Sequence, residues 1–149
     1  MLSKIPLIKC QVVREGYEDY IENAEAIISP SAAVKVFQQI IGKEDREHFG
    51  ALLLNTKNKV IGYHTVSIGS LNTSIVHPRE VFKAAIVAGA AAIIVGHNHP
   101  SGDITPSIED KDTTKRLSQS GELLGIRVLD SFIVSPGKDY YSFAENNLI

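Results

Sequence analysis

A short uncharged run, Ala91-Ala92-Ile93-Ile94-Val95-Gly96, passes without a break into His97-Asn98-His99-Pro100-Ser101-Gly102-Asp103-Ile104-Thr105-Pro106-Ser107-Ile108-Glu109-Asp110. An apolar run of this length, ended by residues that favour turns, reads as a buried strand. Thr105-Pro106 then opens a helix, because proline suits the first helical turn. A core strand that empties into a polar loop and a helix predicts a mixed α/β fold, with helices on a central sheet. It also gathers two imidazoles, a hydroxyl and a carboxylate at the strand end, where α/β proteins tend to build their sites.

The rest of the chain supplies the other layers. Leu7 to Val13 alternates well enough for a strand, with Cys10 as a small core residue, while Glu15 to Asn23 has no clear period. Pro30-Ser31 opens a helix with Ala33, Val36, Phe37 and Ile40 on one face and Gly42 past its end. Phe49 to Asn55 and Val60 to Val66 form a hairpin across Thr56-Lys57-Asn58-Lys59, and a further extended piece follows Gly69 through Leu71 to Val76. Pro78 begins a second helix, with Glu80 in its first turn and Val81, Ala84, Ala85 and Ala88 as its buried stripe. A third helix from Ser107 to Leu124 turns Ile108, Leu117, Leu123 and Leu124 inward and is capped by Gly125. Ile126 to Val134 is a strand, and Tyr140 to Phe143 a short edge strand.

At 149 residues, without internal repeats, the chain is read as one domain spanning 1–149. A formal net charge of −2 with no basic block argues against non-specific nucleic-acid binding, which needs clustered Lys and Arg. A single cysteine leaves no internal disulfide and fits a reducing compartment. The longest uncharged apolar run, Ala84 to Gly96, is 13 residues, short of the roughly 18 needed to cross a bilayer. The N-terminus is too broken by proline for a signal-peptide core. The expected setting is cytoplasmic, with no membrane partner.

His97 and His99 are two apart at a strand end, so both rings project to one face and can reach one ion. Ser107 and Asp110 lie three apart on one side of the following helix. If that helix folds back, Asp110 completes a His-His-Asp site for zinc and Ser107 faces its open position. A zinc ion so held supplies hydroxide at neutral pH by lowering the pKa of a bound water to ~7. Iron or manganese also suits such donors. The same Ser-x-x-Asp spacing equally describes a capping box. Asn98 points to the opposite face and braces the loop. His48, His64 and His77 are read as packed or surface residues. Contiguous His-Asn-His letters carry little weight for a nuclease of that name, whose named residues are spread through its fold. Spacing alone does not single out a general base. Physical reasoning does not choose Glu47: Glu44 is three residues earlier in a more polar stretch, Glu80 serves as a helix-start acid, and Glu109 points about 100° away from Asp110.

His97-x-His99-Pro100, with Ser107 eight residues after His99 and Asp110 three later, resembles the JAMM motif of MPN/JAB-domain zinc hydrolases. The fuller string through Gly102, together with Pro106-Ser107, Asp110 and the segment Val76 to Phe82 followed by Ala84-Ala85, is similar to the RadC-like branch. The likeness covers about residues 44–149. It implies a JAB/MPN-like (cytidine-deaminase-like) mixed sheet flanked by helices, and a metallopeptidase or isopeptidase acting on an amide bond of a peptide or protein. It further implies His97, His99 and Asp110 as zinc ligands, Ser107 as oxyanion donor and Glu47 as the base that takes a proton from zinc-bound water. The alternatives are a non-catalytic MPN-type interaction module and a metal-dependent nuclease linked to DNA repair. The sequence departs from the RadC-like pattern at Asp130-Ser131, where relatives commonly carry Asp-His. Residues 1–43 are also too few and too poor in basic residues for an N-terminal helix-hairpin-helix region.

Overall fold

The computed structural model of the chain describes residues 4–16, 29–69 and 76–149. In chain order its elements are α1 (Pro30–Ile41), β1 (His48–Leu54), β2 (Val60–Ile68), α2 (Pro78–Ala88), β3 (Ala92–Asn98), α3 (Ile108–Leu124), β4 (Arg127–Val134) and β5 (Tyr140–Ser142). The strands form one sheet in the order β2-β1-β3-β4-β5. β1 pairs antiparallel with both β2 and β3, β3 and β4 run parallel, and β5 returns antiparallel on β4. The parallel pair needs a crossover, and α3 supplies it. This is the mixed α/β architecture expected from the sequence.

Local chemistry sets the boundaries. Ser29 caps α1 by accepting from the Ala32 N–H at 3.3 Å, and Pro30 takes the first helical position. In the β1–β2 turn the Asn55 side chain accepts from the Lys57 and Lys59 N–H groups at 2.9 and 3.0 Å, and Asn58 takes a left-handed φ of 55°. Gly125 ends α3 at φ 71°, a conformation that costs a residue without Cβ little.

β3 is buried along its whole length because both faces of the sheet are covered. On one face Phe49, Ala51, Leu53, Ile93 and Val95 pack with Val81, Phe82 and Ala85 of α2 and Leu117 of α3. On the other, Leu52, Leu54, Ile94, Phe132 and Val134 pack with Ala33, Val36, Phe37 and Ile41 of α1. The strand therefore continues through the first motif histidine, which makes His97 part of the core layer.

The structure corrects the expected inner face of α3. Ile108, Leu123 and Leu124 are exposed (74%, 88% and 48%), and the buried stripe is Asp110, Thr114, Leu117 and Gly121. Those four positions fall at i, i+4, i+7 and i+11, a single helical face. Close approach and polar pairing select that face over hydrophobicity. A Cβ at Gly121 would fall 2.4 Å from the Ile126 carbonyl oxygen, and Thr114 Oγ1 lies 3.1 Å from the buried Ser131 hydroxyl. In α2, Phe82 joins Val81 and Ala85 in the core, while Ala84 and Ala88 are only half-buried.

Residues 7–13 do not form the expected strand, and Cys10 is exposed rather than in the core. Leu7, Ile8 and Val13 are 99%, 85% and 71% exposed. Alternation makes a strand only where a sheet edge accepts its backbone groups, and no described strand pairs with this segment. Most of the extended piece expected after Gly69, and most of Glu15 to Asn23, lie outside the described residues. No helix among the described residues is long and apolar enough to cross a membrane.

Candidate metal centre

The antiparallel register of β1 and β3 places Phe49 opposite His97, and the two rings stack at 5.9 Å between centroids with planes 14° apart. His97 is 2% exposed. His99 lies just past β3, yet its N–H still donates to the Val134 carbonyl at 2.9 Å, so the extended path persists and both rings share a face. Their Nε2 atoms are 3.0 Å apart. Gly102, at φ 87°, then turns the chain back, and its N–H donates to the His99 carbonyl.

That turn also fixes a tautomer. His99 Nδ1 sits 2.6 Å from the Asp103 carbonyl oxygen, which can only accept. The proton therefore belongs on Nδ1, and Nε2 presents its lone pair towards His97 and Asp110. His97 Nδ1 is buried without a hydrogen-bond partner among the described residues.

The carboxylate arrives from α3. Ser107 is the N-cap, with Oγ accepting from the Asp110 N–H at 3.0 Å and Asp110 Oδ2 accepting from the Ser107 N–H at 2.8 Å. This is a capping box in which aspartate takes the place of the usual glutamate. The structural reading of the Ser-x-x-Asp spacing thus holds, and it aims the acid. Asp110 Oδ1 lies 3.2 Å from His97 Nε2, and Oδ2 lies 3.7 Å from His99 Nε2. Burial pushes the Asp110 carboxyl upward, but the hydrogen bond and charge of His97, with the Ser107 bonds, outweigh it and hold the pKa near about 2.

His97, His99 and Asp110 each offer one ligand atom within 4.8 Å of the others, and could hold a metal ion. The donor set fits a divalent cation: two imidazole nitrogens, one already presented as a lone pair, and a carboxylate at a helix start. Three protein ligands leave a tetrahedral metal one open position.

The remaining candidates fall as follows. Glu47 directly precedes β1 and is half-buried, and its carbonyl accepts from the Gly69 N–H at 2.8 Å. Glu47 lies two residues before Phe49, the last β1 residue that pairs with β3, opposite His97. Glu44 instead lies 3.6 Å from the half-buried His48 ring. Glu80 is engaged on the outside of α2 by Lys83 at 3.1 Å, whose hydrogen bond and charge hold its pKa low. Glu109 is exposed. His64 is half-buried within β2, and His77 is exposed at the start of α2. Ser131 is buried, with its hydroxyl 3.1 Å from Thr114 Oγ1. Sequence reasoning missed the Asp103 carbonyl and Thr114. A backbone carbonyl leaves no mark in a sequence, whereas Thr114, one helical turn beyond Asp110, could have been found by spacing.

A family model, RadC-like JAB domain, matches residues 27–148. The chain is 51% identical over 125 residues to a UPF0758 protein of Caldanaerobacter subterraneus subsp. tengcongensis, covering 79% of this chain and 54% of that one. It is 48% identical over 123 residues to a UPF0758 protein of Rubrobacter xylanophilus, covering 83% and 53%. A UPF0758 protein of Desulforamulus reducens is 62% identical over 94 residues, covering 63% and 41%. The chain thus spans about half the length of the curated relatives it matches.

Proposed function

The chain belongs to the RadC-like JAB domain family, and we propose that it is a zinc-dependent hydrolase that cleaves a peptide or isopeptide bond. The observation that carries this reading is the convergence of His97, His99 and Asp110, whose ligand atoms lie within 4.8 Å of one another, two of the three being buried and His99 and Asp110 each held by a backbone group. These residues would hold the ion. Zinc there would supply Lewis acidity, polarising the scissile carbonyl and acidifying a water at neutral pH.

The chain's own residues would do the rest. Glu47 takes a proton from the attacking water and returns it to the leaving amine, a role suited to a carboxylate just before the strand whose Phe49 pairs with His97. Ser107 already accepts the Asp110 N–H, so its own O–H is left to donate to the oxygen on which negative charge develops. A peptide or protein substrate suits the charge balance better than nucleic acid, and the single cysteine accords with a reducing, cytoplasmic setting.

The cap and oxyanion roles of Ser107 separate in two variants. Ser107→Ala is expected to cost about 1 kcal/mol of stability in urea unfolding, and Ser107→Gly only a few tenths. Both are expected to keep zinc and to lose turnover by about 100-fold. Equal turnover in wild type and Ser107→Gly would remove the oxyanion role.

The function itself is tested by incubating zinc-loaded and chelator-treated protein with a panel of peptides and isopeptide-linked conjugates. Cleavage that chelation abolishes and zinc restores supports the reading. Zinc-replete protein that leaves every amide intact overturns it in favour of an interaction module, and chelator-sensitive cutting of DNA overturns it in favour of a nuclease.

A further inference from the structure

We propose that Asn98 is a positioning residue that ties Glu47 to the metal ligands, so that base and ion site move as one body. The inference rests on the reading of Glu47 as base. Asn98 lies between the two histidines but points away from them, to the α1 face, and is fully buried. Its Oδ1 accepts from the His48 N–H at 2.6 Å, and its Nδ2 donates to the carbonyls of Arg46 at 2.9 Å and Glu44 at 3.3 Å. The bonds to residues 46 and 48 bracket Glu47 on both sides.

This clamp replaces a ladder that has run out. The β1–β3 pairing stops at Phe49–His97, while the β3–β4 ladder continues through Asn98–Val134 to the His99 N–H. Residues 42–47, which carry the chain from α1 to β1, have no regular secondary structure. The fully buried amide of Asn98 needs partners of its own, and the backbone of residues 44, 46 and 48 supplies all three. The demand is for one acceptor and two donors on one short side chain, which an amide satisfies and an aspartate does not. An aspartate would face two carbonyl oxygens with a buried charge. Asn98 thus sets the backbone at Glu47 from the strand that delivers His97 and His99. A shift of about 1 Å in a catalytic group can cost about 100-fold in rate.

The test compares wild type with Asn98→Ala and Asn98→Ser, the serine variant serving should alanine fail to fold. Each 15N-labelled chain is loaded with Co2+, and the paramagnetic shift of each backbone amide reports its place relative to the ion. Both variants are expected to bind one equivalent of Co2+, to move the Glu47 amide shift while leaving that of Leu52 unchanged, and to exchange the His48 amide faster in the metal-free protein. On a cleaved substrate, kcat is expected to fall by about 10- to 100-fold with KM held within about twofold. In a Glu47→Gln background the same substitutions are expected to add no further loss, because they act through Glu47. An unmoved Glu47 shift, or losses that add in that background, overturns the inference while leaving the metal reading intact. Failure of wild type to bind Co2+ overturns the metal reading itself, and this inference with it.

Discussion

Protein loaded with zinc and desalted is expected to retain close to one equivalent of metal, and His97→Ala and Asp110→Asn almost none. The two variants remove different things. His97→Ala takes a nearly buried ring from between Phe49 and Asp110, and so also opens a cavity. Asp110→Asn keeps the volume and can still accept the Ser107 N–H, but it removes the negative charge that pairs with the cation. Loss of zinc in both therefore separates ligation from packing. Binding to the folded chain alone should add about 2.7 kcal/mol when free zinc exceeds Kd about 100-fold. For a domain of this size that is a rise in Tm of about 5–10 °C, abolished by chelation and absent in Asp110→Asn. Acidification should strip the metal, since protonated imidazoles cannot ligate. Metal analysis by mass spectrometry with thermal unfolding reads all of these. Zinc-free wild type after loading would end the metal-centre interpretation.

Glu47→Gln is expected to keep the zinc and lose the chemistry. The amide matches the carboxylate in size but cannot take a proton, so kcat should fall by about 100- to 10,000-fold with KM little changed. Zinc content should match wild type, because Glu47 lies outside the His97–His99–Asp110 cluster. Glu80→Gln is the matched control: that acid pairs with Lys83 on the outer side of α2, and its loss should leave turnover intact. Should Glu47→Gln turn over substrate at the wild-type rate, a different base must act, and Glu44 would be examined next.

Both predictions begin from features the sequence displays, though unequally. The His97–His99 pair and the helix start at Ser107 are written in local grammar: alternation along a strand, then a cap and an acid three residues on. The resemblance to RadC-like domains selected Glu47 where spacing left several acids open, and it directly precedes the strand whose Phe49 pairs with His97. Alternation also anticipated that Asn98 faces away from the ligands, but not that it holds the backbone at 44, 46 and 48. Where the reading failed, a local pattern had no tertiary partner. Leu7 to Val13 alternates like a strand, yet no described strand accepts it. Ile108 and Leu123 are apolar but lie off the face of α3 that the sheet receives.

What the sequence determined alone is therefore whatever depends on neighbours within a few residues: the strand into the histidines, the capped helix after them, the hairpin and the turns. Tertiary structure decided which way α3 faces, which carbonyl fixes the His99 tautomer and which backbone Asn98 clamps. The physical reason is range. Backbone geometry and capping act over one helical turn or strand pair, whereas these choices depend on groups from different elements meeting in space.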